Sequence, residues 1–261
     1  MLNKLLFLIS FFLVSSCANT TSAPQGSSSS SELLYYEAFE APSSTEPQTL
    51  VVYLPGDLAS RNGLDPRYLF TEAEQIPETY DGAIGVSILR PSTHDEFGNK
   101  SPGKKLYGSD DNKTEENIHY VASTIEHIQE QYSVTRTIAV GHSGGAMTLG
   151  VIIGKYPLLL DAVVLVSTVC DISKYRKDRG KGKWPKSLSP DDYAASIPSA
   201  TEIVLVTGAK DSNTRPKFAR QCEELYQEAG LTVSLVLVEG ASHRFSTMKD
   251  AISIAVSDLL D

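Results

Sequence analysis

A short apolar strand that runs straight into Gly141-His142-Ser143-Gly144-Gly145 and then into a helix constrains this chain more than any other stretch. Thr137-Ile138-Ala139-Val140 is the kind of continuous run that a strand buried on both faces uses. Gly141 and Gly145 stand two residues either side of Ser143. Neither has a Cβ, so a strand and a helix can close around a serine at the tip of a sharp turn. The Ser143 hydroxyl then points out of the sheet edge, and the helix expected from about Ala146 starts behind it. Free N–H groups and the positive end of the helix dipole lie in the same place. The bland alternative is a glycine-rich turn with an incidental serine. A base, an acid and an oxyanion donor elsewhere in the chain decide between the two.

The pattern around this turn is regular. Residues 33–36, 50–54, 83–89, 161–167, 203–207 and 233–238 read as strands, most of them continuously apolar. The clearest helix spans 114–132, where Ile118, Ala122, Ile125, Ile128 and Tyr132 share one face and Thr114 can cap the start. Further helices are expected over 146–155, 216–229 and 247–260, and a weaker one over 65–78, broken at Pro77. Residues 92–113 read as a long polar loop. Strands alternating with helices predict an α/β fold, with a mostly parallel central sheet flanked by helices. At 261 residues and 41% hydrophobic, the chain can bury one full core of this kind.

A serine hydroxyl needs an adjacent base to become a nucleophile, and histidine suits neutral pH. The five candidates are His94, His119, His127, His142 and His243. His94 falls in the polar loop, and His119 and His127 lie on the long helix before the turn. The side chain of His142, next to Ser143 in sequence, should diverge from that of the serine and help pack the turn. His243 follows the last strand in a glycine-containing loop, at the same sheet edge as Ser143. The imidazole needs a carboxylate to fix its tautomer. Asp211, in the loop after strand 203–207, is the leading candidate. Asp171, after the preceding strand, is the runner-up, and Glu239 is too near His243 in sequence.

Taken together, Pro55-Gly56-Asp57, Gly141-His142-Ser143-Gly144-Gly145, Gly208-Ala209-Lys210-Asp211 and Ser242-His243 resemble the signature loops of the α/β-hydrolases. The resemblance runs from about residue 49 to 260. It is nearest in style to dienelactone-hydrolase-like enzymes and prolyl-oligopeptidase-like catalytic domains. It implies the chain order nucleophile Ser143, acid Asp211, base His243, and hydrolysis of an ester, thioester or amide through an acyl-enzyme. A carboxylic ester is expected ahead of a peptide, with a small-molecule acyl substrate. A prolyl-oligopeptidase-like amide hydrolase and a non-catalytic envelope binding protein on the same fold are the alternatives. It further implies an oxyanion hole from the backbone N–H groups of Gly144 and of Asp57 or Leu58. Pro55 stands where the family often has histidine, and the Asp57 carboxylate must point away or pair with Arg61 or Arg90. Residues 171–200 correspond to a small cap, here basic through Lys174, Arg176, Lys177, Arg179, Lys181, Lys183 and Lys186 around Trp184, the only tryptophan. The cap reads either as a solvated loop or as an attractor of anionic substrates or lipid head groups. No stretch reads as a β-propeller, so a large gated oligopeptidase is not expected.

The first 31 residues are a separate matter. Lys4, the apolar run 5–14 and Val14-Ser15-Ser16-Cys17 resemble a bacterial lipoprotein signal. That resemblance implies removal of 1–16, lipidation of Cys17 and attachment to the envelope membrane, the outer one where the cell has two. Residues 18–31, rich in Ser, Thr, Ala, Pro and Gly, read as a flexible tether with a reach of roughly 20 Å. The hydrolase domain then occupies 32–261. A net charge of −9 argues against nucleic acid as a partner. Neither Cys170 nor Cys222 sits in a metal-ligand pattern, so no metal and no cofactor are expected. Export permits a disulfide between the two, and sequence leaves their proximity open.

Overall fold

Seven strands among the described residues form one sheet: β1 (Tyr36–Phe39), β2 (Thr49–Leu54), β3 (Ala83–Ile88), β4 (Arg136–His142), β5 (Ala162–Val166), β6 (Glu202–Gly208) and β7 (Val233–Val238). Their order is β1-β3-β2-β4-β5-β6-β7. Only β1 is antiparallel to its neighbour. The computed structural model describes residues 33–41, 48–57, 65–105, 113–184 and 186–260. The expected signal 1–16, Cys17, the tether to residue 31, Leu58 and Arg61 lie outside the described residues.

The apolar runs are continuous because both faces of the sheet are covered. Leu50, Val52, Leu54, Ala139, Leu165 and Leu205 face α2 (Glu115–Tyr132), α3 (Gly144–Lys155) and α5 (Pro216–Glu228). Val51, Tyr53, Val140 and Val164 face the other way, toward α1 (Phe70–Thr79) and α6 (Lys249–Leu260). Alternate residues of one strand thus enter opposite cores. Thr114 caps α2 by accepting the Asn117 N–H, a contact that contributes about 1 kcal/mol. α3 is buried along nearly its whole length, which explains its lack of a polar face.

Three expectations are adjusted. β1 starts at Tyr36, not Leu33, because the Leu34 and Tyr35 N–H groups donate to Thr124 Oγ1 (3.0 Å) and Ser101 Oγ (3.1 Å) instead of to a ladder. α1 starts later than the pattern suggested and runs through Pro77 to Thr79. Proline gives no N–H to the Ala73 carbonyl one turn back. That carbonyl instead lies against β3 at Gly85, where a Cβ would stand 1.8 Å from it. The described part of 92–113 is an ordered excursion rather than open loop. It is closed by Ser92 N–H to Pro102 O (2.8 Å) and Ser101 N–H to Thr93 O (2.9 Å), with His94 bridging to Lys100.

The chain passes from β2 outward to β3 and returns on the other side of β2 as β4. The strand order therefore reverses between β2 and β4, and crevices at the carboxyl ends of strands open at such points. The segment after β5 carries α4 (Ile172–Asp178) and a 3₁₀ turn (Pro190–Ser196). Cys170, at its start, is disulfide-bonded to Cys222 of α5 across a Cα–Cα distance of 5.3 Å. No described helix is long and apolar enough to cross a membrane.

Candidate active site

Ser143 sits between β4 and α3 with φ 52° and ψ −112°, a left-side conformation that costs a non-glycine residue about 1–3 kcal/mol. The turn is held by the Ser143 N–H, which donates to Val166 O of β5 at 2.8 Å. The two flanking glycines are required by close approach. A Cβ on Gly141 would stand 2.7 Å from the Ala146 backbone, and one on Gly145 would stand 2.1 Å from Leu54 O of β2.

The loops after β6 and β7 bring Asp211 and His243 to the same sheet edge. His243 Nε2 is 3.0 Å from Ser143 Oγ, and His243 Nδ1 is 2.8 Å from Asp211 Oδ2. With Nδ1–H given to the carboxylate, Nε2 presents its lone pair to the serine. Asp211 has no exposed side-chain surface. Its Oδ1 accepts the Asn213 and Thr214 N–H groups (2.8 and 2.9 Å), and its Oδ2 accepts the Thr214 hydroxyl (2.8 Å). Burial alone would raise its pKa, but His243, Thr214 and the Asn213 N–H outweigh burial and hold it below the usual carboxylate range. Asp171 lies elsewhere: it caps α4 by accepting the Lys174 N–H at 2.7 Å.

His142 turns away from Ser143. Its Nε2–H donates to the backbone oxygen of His243 at 2.9 Å, and its Nδ1 accepts the Tyr68 hydroxyl at 2.6 Å. The same hydroxyl accepts the Gly56 N–H at 2.7 Å. Burial, with the nearby His243 ring, lowers the His142 pKa to about 4, so the ring is neutral at working pH. Of the other histidines, His94 stays in the excursion after β3, His127 on α2, and His119 on a surface groove with Lys155 and Tyr156 that includes none of the three residues at the sheet edge.

Asp57, after β2, places its carboxylate over Gly144: a Cβ there would meet Asp57 Oδ1 at 1.9 Å. The carboxylate is paired with Arg90 Nη1 (2.8 Å) and with Lys113 Nζ (2.8 and 3.0 Å). Arg90 and Lys113 are 3% and 0% exposed. Burial raises the Asp57 pKa, but the two cations more than offset it and keep the group ionised. The negative charge near the expected oxyanion is thereby neutralised. The backbone N–H groups of Asp57 and Gly144 have no acceptor among the described residues. Among the described residues, no group of three or more His, Cys, Asp or Glu side chains could hold a metal ion.

The cap lies beside this centre. Met147, Val169, Ile172 and Phe218 form an apolar cluster against which Tyr175 and Trp184 pack. Arg176 covers the Trp184 ring at 4.1 Å, and Lys174, Lys177, Arg179, Lys181, Lys183 and Lys186 are exposed. Sequence reasoning missed Tyr68, Lys113, Asn213 and Thr214. Only Thr214 had a local signal, since Asp-Ser-Asn-Thr is a sequence in which an Asp side chain caps the turn it starts.

The profile of the prolyl oligopeptidase family matches residues 98–261, a span that includes Ser143, Asp211 and His243. No curated protein matches the sequence. Among solved structures, Est1E from Butyrivibrio proteoclasticus with ferulic acid bound is similar at a TM-score of 0.65 and 14% identity, over 87% of this chain and 94% of that one. Esterase PE8 is similar at 0.62 and 18% identity, over 86% and 99%. The acylaminoacyl peptidase of Pyrococcus horikoshii is similar at 0.60 and 13% identity, over 82% of this chain but 36% of that one. At these identities the structural likenesses show an α/β-hydrolase fold.

Proposed function

Since the chain belongs to the prolyl oligopeptidase family of serine hydrolases, we propose that it cleaves a carboxylic ester through an acyl-enzyme on Ser143. The observation that carries this reading is the contact chain Ser143 Oγ to His243 Nε2 to Asp211 Oδ2, at 3.0 and 2.8 Å. Ser143 Oγ attacks the acyl carbon while His243 Nε2 takes its proton. Asp211 stabilises the imidazolium that results. The oxyanion is met by the N–H groups of Gly144 and Asp57. The imidazolium returns the proton to the leaving alkoxide, which departs as an alcohol. Water, deprotonated by His243, then attacks the acyl-enzyme and releases the acid.

Esters are favoured over peptides by the neighbours that share this chain's length: the two esterases are covered over 94% and 99% of their chains, the peptidase over 36%. The family name supports amide hydrolysis as the second reading. A fluorophosphonate probe tests the nucleophile: labelling that vanishes in Ser143→Ala supports it, and an unlabelled folded protein sinks it. A panel of 4-nitrophenyl esters and aminoacyl amides then separates the two readings.

The reading extends to the envelope. Residues 1–17 support lipidation at Cys17, and the disulfide between Cys170 and Cys222 suits an oxidising compartment. Membrane fractionation tests the anchor. Processing and membrane retention of Cys17→Ser protein would overturn it.

A further inference from the structure

The reaction above leaves Asn213 without a role. Its Nδ2 lies 3.0 Å from His243 Nε2, the same distance as Ser143 Oγ. Two residues of the cap turn its amide. The Tyr175 hydroxyl donates to Oδ1 at 3.2 Å, and Arg179 Nη1 donates to Oδ1 and, at 3.0 Å, to the Asn213 backbone oxygen. A guanidinium can only donate, so Oδ1 faces Arg179 and the amide N–H faces the imidazole. With Nδ1–H given to Asp211, Nε2 has a single lone pair. Asn213 and Ser143 compete for it.

Arg179 is exposed and has no carboxylate partner among the described residues. Its contacts are the Tyr175 hydroxyl and ring and the oxygens of Asn213. Arg215 and Lys217, by contrast, pair with Asp178, and Arg90 and Lys113 with Asp57. A guanidinium without a carboxylate partner thus stands one amide group away from the catalytic base, on a basic cap in a chain of net charge −9.

We propose that Arg179, Asn213 and Tyr175 form a subsite for a carboxylate carried by the substrate. A carboxylate makes stronger, charge-assisted bonds to Arg179 than an amide oxygen does. Its arrival takes Arg179 from Asn213 Oδ1, so the amide loses the anchor that aims it at His243. The Nε2 lone pair then passes to Ser143. Filling the subsite both binds the substrate and readies the base. The inference rests on the hydrolase reading and names its substrate class.

The test uses the intact protein and two pairs of esters. Mono-4-nitrophenyl glutarate and adipate are compared with the pentanoate and hexanoate, which places the charge on the acyl chain. Butyryl esters of 4-hydroxybenzoate and 4-hydroxybenzamide place it on the leaving group. In one of the two arms the anionic ester is expected to have the higher kcat/KM by about tenfold or more, the effect of one charge-assisted pair. Arg179→Gln brings that ratio close to one, and Arg179→Lys retains part of it. Asn213→Ala raises kcat for the neutral ester several-fold, as roughly one hydrogen bond to the base is removed, and so narrows the gap in kcat between the anionic and neutral esters. No preference in either arm, a preference that survives Arg179→Gln, or a fall in kcat for both esters in Asn213→Ala would each overturn the proposal. Neutral esters cleaved without any preference overturn the subsite alone. No cleavage of any ester and no probe labelling overturn the hydrolase reading and the subsite with it.

Discussion

His142 donates its Nε2–H to the backbone oxygen of His243 at 2.9 Å, so the ring next to Ser143 positions the loop that carries His243 rather than Ser143 itself. Through Nδ1 the same ring holds the Tyr68 hydroxyl, which in turn accepts the Gly56 N–H. One neutral histidine therefore ties the loop after β7 to the loop after β2. Removing the Tyr68 hydroxyl leaves the buried Gly56 N–H unsatisfied, at a cost of about 1–3 kcal/mol. Tyr68→Phe is expected to lower kcat about tenfold, the equivalent of about 1.4 kcal/mol of transition-state stabilisation, with little change in KM. Steady-state kinetics on a 4-nitrophenyl ester measures it, and an unchanged kcat would mean that the Gly56 loop holds its place unaided.

The neutral state of His142 makes stability pH-dependent. Its pKa is about 4 in the fold, against 6.5 ordinarily. The unfolded chain therefore binds a proton in a range where the fold refuses it. The contribution is complete above pH 6.5 and is lost as pH falls toward 4, by roughly 3 kcal/mol in all. Denaturant unfolding of His142→Gln at pH 7 and pH 4 should decline less than that of the unaltered protein, by about this amount. Equal declines would contradict the assignment.

The sheet was legible because every strand but the first carries an apolar run bounded by turns, and Ser143, Asp211 and His243 each follow such a run directly. β1 was misplaced because its start depends on Thr124 and Ser101, whose hydroxyls reach it from distant parts of the chain. Lys113 reads in sequence as one more lysine of a polar loop. It is buried with its ammonium on the Asp57 carboxylate, 56 residues away in sequence. Tyr68 and Asn213 were invisible for the same reason: each acts on a partner 30 or more residues away.

Asp211 and Asp171 can be separated by one pair of substitutions. Asp211→Asn places an amide where the imidazole N–H needs an anion and should lower kcat by roughly 10³–10⁴-fold. Asp171 only caps α4, and asparagine caps a helix as well as aspartate. Asp171→Asn should leave kcat nearly unchanged. Inversion of this order would move the acid to the loop after β5.

The disulfide closes a loop with a sequence separation of 52 between the start of the cap and α5. Loop-closure entropy assigns such a crosslink about 4 kcal/mol. The double variant Cys170→Ser, Cys222→Ser is expected to unfold at lower urea concentration by up to that amount. Reduction with dithiothreitol should lower the midpoint of the unaltered protein and leave that of the variant in place. A midpoint insensitive to both would show that the buried cluster around Tyr226 and Leu205 supports α5 without it.

Asp57 holds two buried cations at once, which makes it less dispensable than either. Asp57→Asn keeps the shape but takes the shared carboxylate from both Arg90 and Lys113, and breaking a buried ion pair by removing one partner costs about 3–5 kcal/mol. Lys113→Met removes one buried charge and leaves Asp57 paired with Arg90 at 2.8 Å, so its cost should be clearly smaller. The two losses should not add, because the ammonium that loses its carboxylate in Asp57→Asn is absent in the double variant. Urea unfolding of both single variants and the double variant gives the coupling directly. Equal costs for the two single variants would show that Lys113, rather than Asp57, is the centre of the cluster beside Gly144.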